Sequence, residues 1–268
     1  MKRTIFTSVS VLALFAAGSA MAQDNTSDIT QDGTNQSATV TQTDASSSDS
    51  DITQSNANNT AEVTQAGADN YSNVEQAADG ATATVSQDST AEAPTSNDPT
   101  NDSSVIQSGA SEATVGQTGE GNASDVDQSG ARSTADVTQL NGNRPAPGAA
   151  NRLNQATIDQ DADDADATID QNGEGGTSTI FQSVTGSNSS ALSTQLGEDN
   201  SSIINQTGVD SLATVSQSSG PGTAGNGSIS TVDQGGISND AFVTQNGAQN
   251  LSDVDQSGGN NVGTVDQL

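Results

Sequence analysis

The feature that most constrains this chain is a glutamine that returns at a nearly fixed interval along almost its whole length. Gln31, Gln42, Gln54, Gln65, Gln76, Gln87, Gln107, Gln117, Gln128, Gln139, Gln160, Gln171, Gln182, Gln195, Gln206, Gln217, Gln234, Gln245, Gln256 and Gln267 form one series of 20. Of its 19 intervals, 13 are 11 residues long, and the others are 10, 12, 13, 17, 20 and 21. Repetition at a short fixed period dictates stacking, because a unit this small cannot bury an apolar face alone and must cover it with copies of itself.

The surroundings of each glutamine define the unit. Two residues before it stands Val or Ile in 19 of 20 cases, Ser193 being the exception. Ile29, Val40, Val63, Val126, Val137, Ile169, Val215, Val243, Val254 and Val265 are representative. Four residues before it stands Ser or Ala, with Gly263 the exception. Ser and Ala alternate from Ser27 and Ala38 to Ser124 and Ala135, slip at Ala156, and resume at Ser178. The true unit is therefore a pair of 11-residue arms, about ten pairs in all.

Each arm reads [Ser/Ala]-x-[Val/Ile]-x-Gln. Side chains alternate between the faces of a strand, so these three positions share one face. The other face carries Thr, Asp, Ser or Glu, as at Thr39 and Thr41 or Asp125 and Asp127. Helical spacing is absent, and Val and Thr favour strands. Between arms come Gly and Asn, as at Gly67 and Asn70 or Gly119 and Asn122, residues that tolerate the positive φ of a tight reversal. The pattern predicts an all-β, two-sided β-solenoid of about ten 22-residue strand-turn-strand rungs with amyloid-like stacking. The glutamines are expected to stack as structural amide ladders and the Val/Ile residues to fill the space between two sheets. At the usual strand spacing, ten rungs extend about 48 Å.

The period is broken near 88–102, 140–154 and 218–228, stretches that hold all five prolines, and Ser46 to Ser48 lengthens one further turn. Proline cannot donate to a strand ladder, so these are expected to be loops bulging from the turns of one continuous body spanning residues 23–268. Residues 1–22 read as a signal peptide: Lys2 and Arg3, an apolar stretch too short to span a bilayer, then Ala20-Met21-Ala22, with cleavage expected between Ala22 and Gln23.

Beyond that leader, three arginines face 34 acidic residues, a formal charge of −31. Such a surface excludes electrostatic attraction to nucleic acid or anionic lipid and admits cations or basic partners. With no cysteine, an exported chain holds its fold without disulfides. Histidine is absent too, so Cys/His nucleophile chemistry is impossible, and no P-loop or dinucleotide fingerprint occurs. Carboxylate pairs such as Asp253 and Asp255 recur at positions occupied elsewhere by Thr, as on a solvated face rather than in a catalytic cleft. No catalytic residue, metal ligand or cofactor is assigned.

The motif Gln-x-Gly-x-x-Asn-x-[Ser/Ala]-x-x-x-Gln stands here as QAGADNYSNVEQ, QTGEGNASDVDQ, QLGEDNSSIINQ and QNGAQNLSDVDQ. It resembles the repeat of curlins, the subunits of bacterial curli fibres. The resemblance implies secretion through a dedicated outer-membrane pore of a Gram-negative cell. It also implies nucleated self-polymerisation into an extracellular functional amyloid, and a role in biofilm matrix and surface adhesion. The chain is longer, more acidic and poorer in aromatic residues than that family's typical members.

Other readings compete. Outward Asp rows, and the run Asp161 to Asp170, suit diffuse or specific binding of calcium and other divalent cations, although the Gly-Gly-x-Gly-x-Asp nonapeptide of calcium β-rolls is absent. A monomeric solenoid binding ice would use outward Thr-x-Thr pairs, which here are interrupted by acids.

Overall fold

The computed structural model describes residues 25–89, 101–141, 153–183, 188–219 and 227–268. Among them are 20 strands and no helix. The first sheet takes the odd-numbered strands: β1 (Thr26–Thr34), β3 (Asp49–Ala57), β5 (Asn70–Gln76), β7 (Asn101–Gln107), β9 (Asn122–Gln128), β11 (Asn154–Gln160), β13 (Thr177–Gln182), β15 (Ser201–Gln206), β17 (Ile229–Gln234) and β19 (Leu251–Gln256). The second takes the even-numbered: β2 (Ser37–Ser46), β4 (Thr60–Ala68), β6 (Thr82–Asp88), β8 (Glu112–Thr118), β10 (Thr134–Leu140), β12 (Asp166–Asn172), β14 (Ser190–Leu196), β16 (Leu212–Ser218), β18 (Asp240–Asn246) and β20 (Val262–Gln267). All neighbours are parallel, so the fold is a two-sided β-solenoid of ten rungs.

Register follows the motif. Gln31 lies opposite Gln54, Val137 opposite Val115 and Ile169, and Ser178 opposite Ser202. A one-residue slip would turn every Val and Gln to solvent, so burial of one face pins the pairing. Inward and outward positions alternate strictly, as in β5, where Asn70, Ser72, Val74 and Gln76 are buried and the residues between them are not. The extra residue near Ser46 is absorbed as an irregularity between β2 and β4 at Thr43 to Ser46.

The Ser/Ala alternation is a difference between sheets. Ser50, Ser72, Ser103, Ser124, Ser178 and Ser202 line the first sheet, and Ala61, Ala83, Ala113, Ala135, Ala167 and Ala213 line the second. The slip in the sequence is Ala156 of β11 standing in the serine column opposite Ser124 and Ser178, with no change of register.

Val63, Val126, Val137, Ile169, Val215 and Val243 are buried in the core. Ile29 and Val265 are only partly buried, and Val40 and Val254 fall between. The gradient has a simple cause: β1, β2, β19 and β20 have a neighbour on one side only. Gln31, Gln42 and Gln267 are likewise only half-buried.

Stacking also explains the turn glycines. Gly67 has φ 80°, and a Cβ there would lie 1.9 Å from the Ser89 carbonyl oxygen of the next rung. At Gly119, φ 95°, it would lie 2.0 Å from the Asn141 carbonyl oxygen. Glycine is needed for left-handed backbone and because the following rung passes across the site.

The central parts of the three expected loops, and residues 1–24 with the expected cleavage between Ala22 and Gln23, lie outside the described residues; so do 184–187. Strand pairing within each sheet continues past 90–100, 142–152 and 220–226, where β6 pairs with β8, β9 with β11 and β15 with β17.

Gly247, in the penultimate turn, has the same left-handed backbone but no backbone atom of a following rung against it. Gly119→Ala is therefore expected to destabilise the soluble chain by about 1–3 kcal/mol more than Gly247→Ala, the cost of overpacking alone. Urea midpoints of the two variants check this.

Candidate functional site: amide ladders, core and open ends

Every glutamine of the series points into the solenoid, and all but Gln31, Gln256 and Gln267 use both amide hydrogens. One goes to the next glutamine along the axis. In the first sheet Nε2 of Gln31, Gln54, Gln76, Gln107, Gln128, Gln160, Gln182, Gln206 and Gln234 each donates to Oε1 of the glutamine on the following rung, at 2.7–3.0 Å. In the second sheet Gln42, Gln65, Gln87, Gln117, Gln139, Gln171, Gln195, Gln217 and Gln245 do the same at 2.8–3.0 Å. The other hydrogen crosses to the opposite sheet: Gln128 Nε2 donates to the Glu112 carbonyl at 3.1 Å, and Gln139 Nε2 to the Ala123 carbonyl at 3.0 Å. The ladders thus hold rung to rung and sheet to sheet. A buried carboxamide without partners costs several kcal/mol, so only a satisfied column can be buried.

Asparagines close the turns. Nδ2 of Asn70 donates to the Ala66 carbonyl four residues earlier at 2.8 Å, and Asn261 repeats this with Ser257. The next rung then binds the free oxygen: Asn101 Nδ2 donates to Asn70 Oδ1 at 3.1 Å, Asn122 to Asn101 and Asn154 to Asn122. This ladder donates toward β1, opposite to the glutamine columns.

Ser193 replaces the expected Val in β14. It is buried, accepts from Ser178 Oγ at 2.8 Å and donates to Ser202 Oγ at 2.9 Å on the opposite sheet. Ile169 of β12 lies beside it, and Ile180 and Ile204 are buried on β13 and β15 of the opposite sheet, all larger than the valines elsewhere. The hydroxyls of Ser50, Ser72 and Ser103 are buried with no hydrogen-bond partner among the described residues. The sequence signals the first case, as the one break in an otherwise Val/Ile column facing a serine column; nothing in it separates paired from unpaired serines.

Acids occupy the outward positions. Asp127 of β9 lies opposite Asp159 of β11. Removal from water raises both carboxyl pKa values above the ordinary range; Asp125 and Asp161 add like charge at Asp127, as do Asp161, Asp127 and Asp125 at Asp159. Asp102 and Asp136 are raised by desolvation first, then by Asp125 and Asp170 respectively. Asp51 is raised by desolvation, then by Asp49 and Asp28. Arg132 pairs with Asp164 at 2.6 Å on the surface, and this exposed bridge contributes little to stability. No group of three or more Asp and Glu among the described residues is placed to hold a metal ion. Among the same residues, no helix is long and apolar enough to cross a membrane.

At the two ends the columns stay open. Among the described residues no strand covers the outer edges of β1 and β2 or of β19 and β20. Among the described residues, Gln256 and Gln267 are the last acceptors of their columns and have no further glutamine to donate to, and no group donates to Oε1 of Gln31 and Gln42, which begin them.

Three stretches, residues 22–55, 57–88 and 110–140, match the family model of the curlin associated repeat. Over these stretches the chain carries repeats similar to those of curlins. No curated protein and no solved structure matches it.

The serines differ in what they lose. Ser193→Ala removes two buried hydrogen bonds and is expected to cost about 1–3 kcal/mol. Ser72→Ala removes a hydroxyl with no partner, and is expected to be neutral or stabilising, as Ala156 already stands in that column. Thermal unfolding of the soluble chain distinguishes them.

Five outward carboxylates, Asp51, Asp102, Asp127, Asp136 and Asp159, carry the pH dependence. Their folded pKa values are raised above 3.8, so the folded state binds the proton more tightly than the unfolded chain. The stability they contribute is complete below pH 3.8 and is lost as the pH rises through the raised values. The urea midpoint is expected to be higher below pH 3.8 than at neutrality, and Asp127→Asn with Asp159→Asn should shrink the difference.

Proposed function

We propose that the chain is a structural subunit of an extracellular curli-like fibre that grows when the first rung of one copy stacks on the last rung of another. The observation that carries this reading is the fit between the two open ends. With β1 of an incoming copy beside β19, Ile29 meets Val254 and Gln31 meets Gln256. With β2 beside β20, Val40 meets Val265 and Gln42 meets Gln267. Each amide hydrogen left at one end then finds the carboxamide oxygen left at the other. Gly247 and Gly258, where a Cβ has room at the end of the single chain, take the place that Gly197 and Gly236 hold inside it, each crossed by a following rung.

Open sheet edges are templates for further pairing, and in-register stacking of identical side chains is the physics of cross-β fibres. Among the outward residues of the joined rungs, Asp253 meets Asp28, a like pair about 4.8 Å apart whose repulsion in water is about 0.9 kcal/mol before screening. Salt, acid or divalent cations bound diffusely along the Asp rows reduce it. The buried Gln, Val/Ile and Ser/Ala columns are structural and leave no cleft for catalysis in this reading. A signal peptide over residues 1–22, release through a curli-type outer-membrane pore, a nucleator at the cell surface and a role in biofilm matrix and adhesion belong to the same proposal. They are supported by the curlin repeats.

Purified chain without residues 1–22 should bind amyloid dyes after a lag that shortens with salt and acid, and its fibres should diffract at about 4.8 Å along the axis. Val265→Asp places a charge in the column that the next copy must cover, at a side chain only partly buried in the single chain. It is expected to leave the monomer folded and to slow fibre growth at least about tenfold, a penalty near 1.4 kcal/mol. Growth of Val265→Asp at the wild-type rate would sink the end-stacking reading.

A further inference from the structure

The outward faces are not uniform along the axis. The strands β13, β14, β15 and β16, which make up the seventh and eighth rungs, contain no Asp or Glu. Each of the other 16 strands contains at least one. In a chain with 34 acids, two consecutive rungs free of charge on both strands interrupt an otherwise repulsive surface.

Large apolar side chains collect here and on the adjoining strand β17, which carries Asp233 at its far end. On the first sheet Phe181, Ile203 and Ile229 point outward on successive strands β13, β15 and β17. Phe181 lies opposite Asn205, Ile203 opposite Thr231 and Ile229 opposite Ser201. The three are thus offset by two residues at each step and form a diagonal stripe across the sheet. Ile203 is 45% exposed and Ile229 49% exposed, although both have neighbouring rungs on either side. Thr177, Thr179 and Ser201 flank the stripe with neutral side chains.

We propose that this stripe is a lateral contact with a second copy of this chain, sheet face against sheet face. The partner is fixed by charge and by spacing. Another copy carries the same acidic faces, which repel at every other rung, so two copies approach face to face only where both are neutral. Its neutral rungs have the same extent, so a two-fold axis in the contact plane, parallel to the fibre, sets the two neutral stretches level, with the stripes crossing at Ile203. One stripe is small beside a stable interface, which buries about 1,200–2,000 Å². In a fibre the stripe recurs once per subunit, about every 48 Å, and many weak contacts act together. The inference rests on the fibre reading, and assigns to it the association of fibres with one another rather than their growth.

The test replaces outward residues only. Ile203→Asp with Ile229→Asp, and separately Ile203→Thr with Ile229→Thr, are assembled beside the wild type and followed by dye binding and electron microscopy. Wild-type fibres are expected to associate laterally, more so as salt rises. Both variants are expected to elongate with the wild-type time course while lateral association falls by about tenfold. Variants that associate as the wild type does, wild-type fibres that stay single at every salt concentration, or association that needs calcium and ignores the substitutions would each overturn the proposal. If the wild type forms no fibres, end stacking has failed, and the lateral contact is read on the soluble chain by sedimentation velocity. There, a salt-promoted dimer lost in both variants supports it, and a monomer at every concentration overturns it.

Discussion

The structure depends on the hydrogen bonding of a buried primary amide. Glutamine is a costly residue to bury, and this chain buries it on nearly every arm. The cost is met because each Nε2 has two acceptors within reach, the next glutamine oxygen along the axis and a backbone carbonyl across the core. Neither acceptor exists for an isolated arm. The carboxamide therefore makes the fold all-or-none at the level of the rung: an arm is satisfied when rungs lie on both sides of it, and the first and last are satisfied only in part. The apolar column between the sheets is thin, one Val or Ile per arm, and the amides do what a thicker core does elsewhere.

That dependence runs through to the ends. The partial burial of Ile29 and Val265, and the axial donors and acceptors left on Gln256, Gln267, Gln31 and Gln42, are one phenomenon: a repeating interaction interrupted where the described strands stop. Natural sheets blunt such edges with charge, bulges or covering loops. Here the edge strands keep the motif of the interior and are marked by charge only at outward positions such as Asp28 and Asp253. Charge modulates addition without altering the face that is added to.

The outward face obeys different rules. Its side chains touch solvent and the neighbouring rung, so Thr, Asp, Asn and Ile exchange freely there without disturbing the core. Acid dominates most of the length, and removal from water, with like charge stacked at the rung spacing second, raises the carboxyl pKa values of Asp127 and Asp159. The neutral stretch over β13 to β16 holds Ser193 together with the buried Ile180 and Ile204, so one segment departs from the consensus both inside and outside.

Strand identity, inward face, register and rung number were legible in the sequence, because a period of two within each arm and of 11 between arms leaves one arrangement that buries every Val and Gln. Gly and Asn located the turns for the same reason. What the tertiary structure decided is which atoms meet across the core. The carbonyls that receive the second amide hydrogen lie on the opposite sheet, 16 residues away for Gln128 and Glu112 or Gln139 and Ala123, a pairing set by how the turns aim the strands. So too with the serines: Ser178 and Ser202 are bridged by Ser193 while Ser50, Ser72 and Ser103 stand unpaired, although the motif writes all five alike. A linear pattern fixes which face a side chain takes; only the folded geometry fixes what it finds there.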